Sequence, residues 1–265
     1  MSNDNIIYNK IGYNYNKTRI PDLRIYNEII KLLECKRKSK IIDVGAGTGN
    51  YSFLLAKNNY IVDALEPSEL MQESGKKHKN LNWILSVVEK NPCKNNYYDG
   101  AVCTLAIHHF MDIEMALKEI YRLLKKDSNF ILFTADPKKS DKKCWINYYF
   151  KELVEYAMST LPDIELITEK LENIFNTKAE IKQFLLPCDL TDSFFYSGWK
   201  FPEKYLDEKF RNGISVFSMA DQELIIQLIN KLKKDIDNGK WYKKYSKLKN
   251  KDFYNCGYYF IKITK

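Results

Sequence analysis

An α/β fold, doubly wound around a mostly parallel sheet, is what this 265-residue sequence predicts, and three observations carry it. Ile41, Ile42 and Val44 form a short apolar run of the kind buried on both faces of a sheet. Gly45, Gly47 and Gly49 follow at alternate positions, and an apolar helical pattern opens at Phe53-Leu54-Leu55-Ala56. Strand, tight turn and helix N-terminus in that order let a ligand press against backbone where any Cβ would clash. The third observation is Glu66, about twenty residues on at the end of the next apolar run, where an acid is placed to accept hydrogen bonds from ribose hydroxyls. A glycine-rich turn alone equally marks an ordinary strand-to-helix loop; the acid is what points to a ligand.

Asp43-Val-Gly-Ala-Gly-Thr-Gly49 with Glu66-Pro67-Ser68 resembles the first motif and the second-strand acid of class I S-adenosylmethionine-dependent methyltransferases. It is similar to the small-molecule group typified by ubiquinone and menaquinone biosynthesis (methyltransferase type 11). The dinucleotide fingerprint spaces its glycines G-x-G-x-x-G, and here the third glycine comes one residue early, which speaks against a nicotinamide or flavin enzyme. The resemblance implies a Rossmann-like seven-stranded sheet with its last strand antiparallel, plus a helical lid insertion. It also implies S-adenosyl-L-methionine as cofactor, S-adenosyl-L-homocysteine as product, and cofactor contacts at Gly45, Ala46, Gly47, Asn50, Glu66 and Pro67.

The length fits one large domain or one domain with a sizeable insertion, and 45% apolar residues suffice for a core. No stretch approaches the ~18 apolar residues of a membrane span. Met-Ser-Asn-Asp-Asn lacks the regions of a signal peptide, so a cytoplasmic protein is expected. Six scattered cysteines without a C-x-x-C pair argue against zinc and against a disulfide framework, and the three histidines are badly spaced for a metal. The net charge of +8 comes mostly from lysines interleaved with acids, as in Lys231-Leu-Lys-Lys-Asp-Ile-Asp237, which speaks against a nucleic-acid partner.

Along the chain, residues 6–20 carry three tyrosines and an arginine, unusual for a disordered tail. They either pack on the core or, as the resemblance implies, fold over the cofactor with Tyr15 and Arg19 contacting it. Pro21 is expected to start a helix with Leu23, Ile25, Ile29, Ile30, Leu32 and Leu33 on its apolar face. Ser68 reads as the N-cap of a second helix reaching about His78; its Met71 packs either on the cofactor or within the helix layer. Leu81 to Leu85 is the third strand.

The loop Ser86-Val-Val-Glu-Lys-Asn-Pro92 stands where relatives commonly carry Gly-Asp-Ala-Glu-x-Leu-Pro. Val88 and Glu89 are the implied contacts, while Val87 replaces an adenine-binding aspartate, leaving backbone and apolar contact to hold the base. Strand four runs from Tyr97 to Leu105, itself a cofactor candidate. His108 and His109 follow at the ligand crevice of a doubly wound sheet and are the catalytic candidates; alternatively one of them caps the helix Ile113 to Leu124 or packs over the sheet edge. Phe130 to Ala135 is the fifth strand, Trp145 to about Phe175 is helical, and Glu180 to Leu186 and Gly257 to Thr264 are the sixth and seventh strands.

About seventy residues separate those last two strands, and so long a segment needs its own structure, with helices read at about 203–210 and 220–238. The expected division is a cap segment and helix over 1–36, a cofactor-binding core over 37–189 with a helical segment at 143–176, a helical, aromatic lid over 190–250, and a last core strand over 251–265. Within the lid, Tyr196, Trp199 and Arg211 are the substrate candidates, suited to an aromatic or apolar acceptor with an anionic group. The same aromatics serve equally as a private core. The chain is expected to act alone or as a homodimer on a small molecule. The alternatives are an RNA or protein methyltransferase, or a cofactor-binding domain without catalysis.

Overall fold

A computed structural model describes residues 19–265, so Tyr15 and the first part of the aromatic N-terminal segment lie outside the described residues. Seven strands form one sheet: β1 Lys40–Val44, β2 Ile61–Glu66, β3 Leu81–Leu85, β4 Tyr98–Thr104, β5 Leu124–Ala135, β6 Glu180–Pro187 and β7 Phe253–Thr264. Their order is β3-β2-β1-β4-β5-β7-β6. The pairs from β3 across to β5 are parallel, and β7 runs antiparallel to both β5 and β6. The chain leaves β1 for β2 on one side and later returns to β4 on the other. The carboxyl ends of β1 and β4 therefore part around a crevice, where open α/β sheets bind ligands.

Side-chain alternation along the central strand explains the two layers of helix. Ile41 points into one apolar layer and Ile42 and Val44 into the other, all three fully buried. The first layer holds α1 (Leu23–Leu33) and α2 (Asn50–Lys57). The second holds α4 (Ile113–Leu123) and α7 (Ile164–Phe175), after the short α3 (Glu69–Glu73). Two more helices, α5 (Trp145–Tyr149) and α6 (Lys151–Thr160), precede α7. Between β6 and β7 stand a 3-10 turn at Pro202–Leu206 and helices α8 (Glu208–Asn212), α9 (Ser215–Met219), α10 (Gln222–Asp237) and α11 (Lys240–Tyr245). Among the described residues no helix is long and apolar enough to cross a membrane.

Several boundaries differ from expectation, each for a local reason. Asp22, not Pro21, begins α1: its carboxylate accepts the Arg24 amide as N-cap. Ser68 caps α3 as expected, accepting the Met71 amide, but the helix stops at Glu73 instead of His78. The Trp83 ring lies against Gly75, where an added Cβ would stand 2.4 Å from it, so the chain turns there to admit the indole. β5 begins six residues before Phe130, at Leu124, across an irregularity between Tyr98 and Gly100 of β4. The helical pattern of 145–175 is three helices, interrupted at Phe150 and at Leu161-Pro162-Asp163.

The segment between β6 and β7 packs into the first layer rather than forming a separate core. Trp145 Nε1 donates to the Trp199 carbonyl at 2.5 Å, and Trp199 Nε1 donates to the Leu186 carbonyl at 3.1 Å. Tyr149 donates to Asp235 at 2.8 Å, tying α5 to α10. These buried N–H and O–H groups are satisfied while their rings supply apolar area.

Candidate active site

The turn after β1 is locked to the end of β2. Gly45 and Ala46 amides both donate to the Leu65 carbonyl, at 2.9 and 3.1 Å. Two of the three glycines are needed for different reasons. At Gly45 (φ +71°) an added Cβ would stand 2.5 Å from the Ala106 Cβ, so only glycine lets the end of β4 pass. At Gly47 (φ +57°) no heavy atom of the described residues lies within 4 Å of that position, and the residue fronts a cavity of about 280 Å³.

Glu66 closes the other side of this cradle. Its carboxylate accepts the Gly47 amide at 2.8 Å and the Ser68 amide at 3.1 Å, and it is buried. Burial pushes its pKa up to about 7; the two amides pull against this, and Asp43 nearby adds to the rise. Asp43 itself, wholly buried in the sheet with the Ser52 hydroxyl donating to it, is pushed up by burial to about 6.

The cavity runs from this cradle past the ends of β3 and β4. Pro67, Met71, Val88 and Glu89 line it, as do Leu105, His108 and His109. Glu89 Oε1 accepts the Met111 and Asp112 amides at 2.8 and 3.3 Å, so this carboxylate also holds the loop after β4 in place. Leu105 takes a left-handed φ of +54°, an uncommon state for a branched residue and one that concentrates at functional sites. The two histidines follow in a single 3-10 turn, Ile107–His109, with ring centroids 3.8 Å apart. Burial lowers the pKa of His109 to about 4; burial, His109 and the Arg19 guanidinium together hold His108 well below its ordinary value. Both imidazoles are neutral at physiological pH, and His108 Nδ1 is buried without a hydrogen-bond partner among the described residues.

Arg19 and Asn50 also line the cavity, in one network with two residues that sequence reasoning did not single out. Arg19 Nε donates to Asp192 Oδ1 at 2.5 Å and Nη2 to Oδ2 at 3.5 Å, while the Tyr51 hydroxyl donates to Oδ2 at 3.0 Å. Asn50 Nδ2 donates to the Arg19 carbonyl at 2.6 Å. The guanidinium expected to face the cofactor is thus engaged by a carboxylate of the same chain. Asp192 lies 173 residues from Arg19 and meets it in an isolated antiparallel bridge outside the seven strands, so no periodicity marks it. Thr104, Phe110 and Tyr258 are further wall residues not singled out from the sequence; Thr104 and Tyr258 reach the cavity from β4 and β7, and Phe110 from the end of the 3-10 turn.

Of the three lid candidates only Tyr196 reaches the cavity wall, its hydroxyl donating to Asn147 Oδ1 at 2.7 Å. Trp199 is wholly buried in the layer described above, because its large apolar ring gains more from the core than from a cavity edge. Arg211 is also not brought to the wall: its Nη1 donates to the Tyr205 carbonyl at 2.6 Å, fastening α8 to the preceding 3-10 turn. The expected anion contact is therefore corrected to a helix-end contact within the segment.

Comparison with known proteins agrees with this architecture. A family model described as a methyltransferase domain matches residues 42–132. YcgJ, an uncharacterized methyltransferase of Bacillus subtilis (strain 168), is 29% identical over 140 residues, covering 47% of this chain and 54% of its own. The ubiquinone/menaquinone biosynthesis C-methyltransferase UbiE of Rickettsia akari (strain Hartford) is 30% identical over 149 residues, 51% of this chain and 57% of its own. The chain thus spans about half the length of these curated relatives. A crystal structure from Anabaena variabilis ATCC 29413, of a protein provisionally named a methyltransferase from an antibiotic biosynthesis pathway, is 36% identical with a TM-score of 0.90. That match covers 94% of this chain and 99% of the other. Glycine turn, second-strand acid, strand order and a full-length relative converge: the chain belongs to the class I S-adenosylmethionine-dependent methyltransferases.

Proposed function

We propose that this chain transfers a methyl group from S-adenosylmethionine to a small-molecule acceptor by in-line displacement. The observation that supports this most is one cavity running from the Gly47–Glu66 cradle to a wall formed by Phe194, Phe195 and Tyr196. The cradle fits the cofactor, since Gly47 leaves open space where a side chain would stand and Glu66 retains lone pairs beyond its two amide bonds. When bound, the cofactor supplies an electrophilic methyl on a sulfonium with a neutral leaving group.

The chain's own part is to hold, orient and keep out water. Glu66 accepts the ribose hydroxyls, Gly45, Ala46, Gly47 and Asn50 form the turn against the methionine portion, and Pro67, Met71, Val88, Glu89 and Leu105 bound the nucleoside. Arg19 keeps the site covered through its pair with Asp192, and residues 190–250 act as the lid. Burial holds His109 near pKa 4 and His108 well below its ordinary value, a poor match to a hydroxyl proton, so both orient the acceptor as neutral hydrogen-bond acceptors rather than removing its proton outright. Arg211, bound to the Tyr205 carbonyl and away from the wall, is not placed to pair with an anionic group on the acceptor.

Two measurements check this reading. Calorimetric titration with S-adenosylhomocysteine is expected to show one site, and methyl-labelled cofactor incubated with a cell extract should label the small-molecule fraction. Label confined to RNA or protein would replace the acceptor class; absence of cofactor binding would remove the reading altogether.

A pH dependence follows for the cofactor. Ribose hydroxyls favour the ionised form of Glu66, whose pKa is raised to about 7, so binding below that pH must release a proton. Affinity is expected to rise roughly tenfold between about pH 6 and 8, at least half of it on a logarithmic scale falling below about pH 7, and to flatten above about pH 8. Glu66→Gln should abolish that slope, and Glu66→Ala should weaken binding by about 2–3 kcal/mol. A wild-type affinity flat from about pH 5.5 to 8, together with a Glu66→Ala affinity equal to wild type, would remove Glu66 from the ribose.

A further inference from the structure

The fold gathers positive charge that the order of residues dilutes. Residues 200–206 and 238–253 hold eight lysines against two acids, so most of the chain's net +8 stands on these two segments. α11 and the 3-10 turn after it, Ser246–Asn250, bury Trp241, Tyr245 and Leu248. That spacing turns the lysines from Lys240 to Lys251 outward, and all six are exposed.

Contacts join the two segments into one surface. Lys200 pairs with Asp252 at 3.6 Å, and the Tyr242 hydroxyl donates to Glu203, so both acids are engaged by neighbours. Lys249 lies 4.3 Å over the Tyr242 ring and Lys251 4.9 Å over the Tyr254 ring, which stacks on Trp199 at 5.2 Å. Phe201 and Phe253 directly follow the two members of the Lys200–Asp252 pair, which brings them to one part of this surface. Phe201 is 42% exposed and Phe253 56%, although Pro202 and Tyr254 beside them are buried. Bare aromatic rings within a field of lysines mark an interaction surface rather than a merely solvated face.

The side-chain types select the partner. The charges are all lysine, point charges suited to a diffuse negative surface; bidentate recognition of single phosphates or bases uses arginine, and neither segment contains one. Phenylalanine has no polar tip and gains by entering an acyl region, while lysine stems can lie along apolar surface with their ammonium groups at the headgroups. We propose that this surface docks the protein on an anionic lipid bilayer, with Phe201 and Phe253 at the headgroup–acyl boundary and the lysines of 240–251 against the anionic headgroups. The docking is peripheral, since among the described residues no helix is long and apolar enough to cross a membrane. It stands independently of the methyl-transfer reading, because none of residues 200–206 or 238–253 lines the cavity.

The test is co-sedimentation of the 265-residue chain with vesicles of phosphatidylcholine, either alone or with about 30% phosphatidylglycerol. Wild type is expected to bind the anionic vesicles at least tenfold more tightly than the neutral ones, and to lose at least tenfold between about 0.05 and 0.3 M salt. Phe201→Ser combined with Phe253→Ser keeps every charge and should weaken binding at least fivefold. Lys243→Gln, Lys247→Gln and Lys249→Gln together keep both rings and should weaken it at least tenfold. Thermal melts and S-adenosylhomocysteine titration establish that each variant is folded, and the lysine variant, altered only at exposed positions, decides if the phenylalanine variant is not. Equal binding to neutral and anionic vesicles, no binding to either, or binding left unchanged in a folded variant overturns the proposal. Polyuridylate bound more tightly than the anionic vesicles also overturns it, by making nucleic acid the partner.

Discussion

Gly47→Val is expected to lower S-adenosylhomocysteine affinity at least a hundredfold, about 2.7 kcal/mol, while the protein stays folded. An added Cβ at Gly47 meets no heavy atom within 4 Å among the described residues, so the isopropyl group would project from the wall into the cavity rather than into the core. The left-handed φ of +57° makes the substitution cost about 1–2 kcal/mol in backbone strain, which a domain stable by about 5–15 kcal/mol survives. Gly45→Ala makes the contrast. Its single methyl would stand 2.5 Å from the Ala106 Cβ, forcing the turn and the end of β4 apart, so its main effect falls on melting temperature. Calorimetry and thermal melts on both variants separate the effects. A Gly47→Val protein that binds near wild-type strength would show that the turn is not the cofactor cradle.

Asp192→Ala is expected to destabilise the protein by about 3 kcal/mol, lowering the melting temperature by about 6–12 °C. The carboxylate is 2% exposed and the Arg19 side chain 15%, and Tyr51 donates to the same group. Removing it leaves a guanidinium and a phenol in a poorly hydrated place, and desolvation of the remaining partner, more than loss of the attraction, sets the size of the effect. Arg19→Met combined with Asp192→Leu removes both charges and should recover most of the loss. Cofactor affinity should fall in Asp192→Ala, because the Arg19 carbonyl is the acceptor for Asn50 beside the glycine turn. A melting temperature within about 1 °C of wild type would show that the pair contributes nothing, as many exposed pairs do.

The legible parts of the site were those where neighbours in sequence are neighbours in space. Gly45, Gly47 and Glu66 come together because β1 and β2 pair in parallel, Val44 beside Leu65, so one crossover sets the acid beside the turn. His108 and His109 follow from the same logic, since β4 lies next to β1 and both carboxyl ends face one crevice. The segment between β6 and β7 was legible as aromatic and helical and illegible in detail. Phe195, Tyr196 and Trp199 sit within five positions, yet only Trp199 turns wholly into the core while the other two reach the cavity wall. Aromatic type says that a ring will be buried and leaves open against what.

By itself, the sequence determined the strand–turn–helix at Ile41–Lys57, the acid at Glu66, the parallel sheet and the presence of structure between β6 and β7. Each of these rests on local backbone chemistry and apolar periodicity, which are properties of a few consecutive residues. Tertiary structure alone decided that Arg19 meets Asp192, that Arg211 fastens a helix end, that α3 stops short at the Trp83 indole, and that burial holds the two histidines neutral. Those outcomes depend on desolvation and on contacts between residues far apart in the chain, and neither quantity exists until the sheet and its two helical layers have closed.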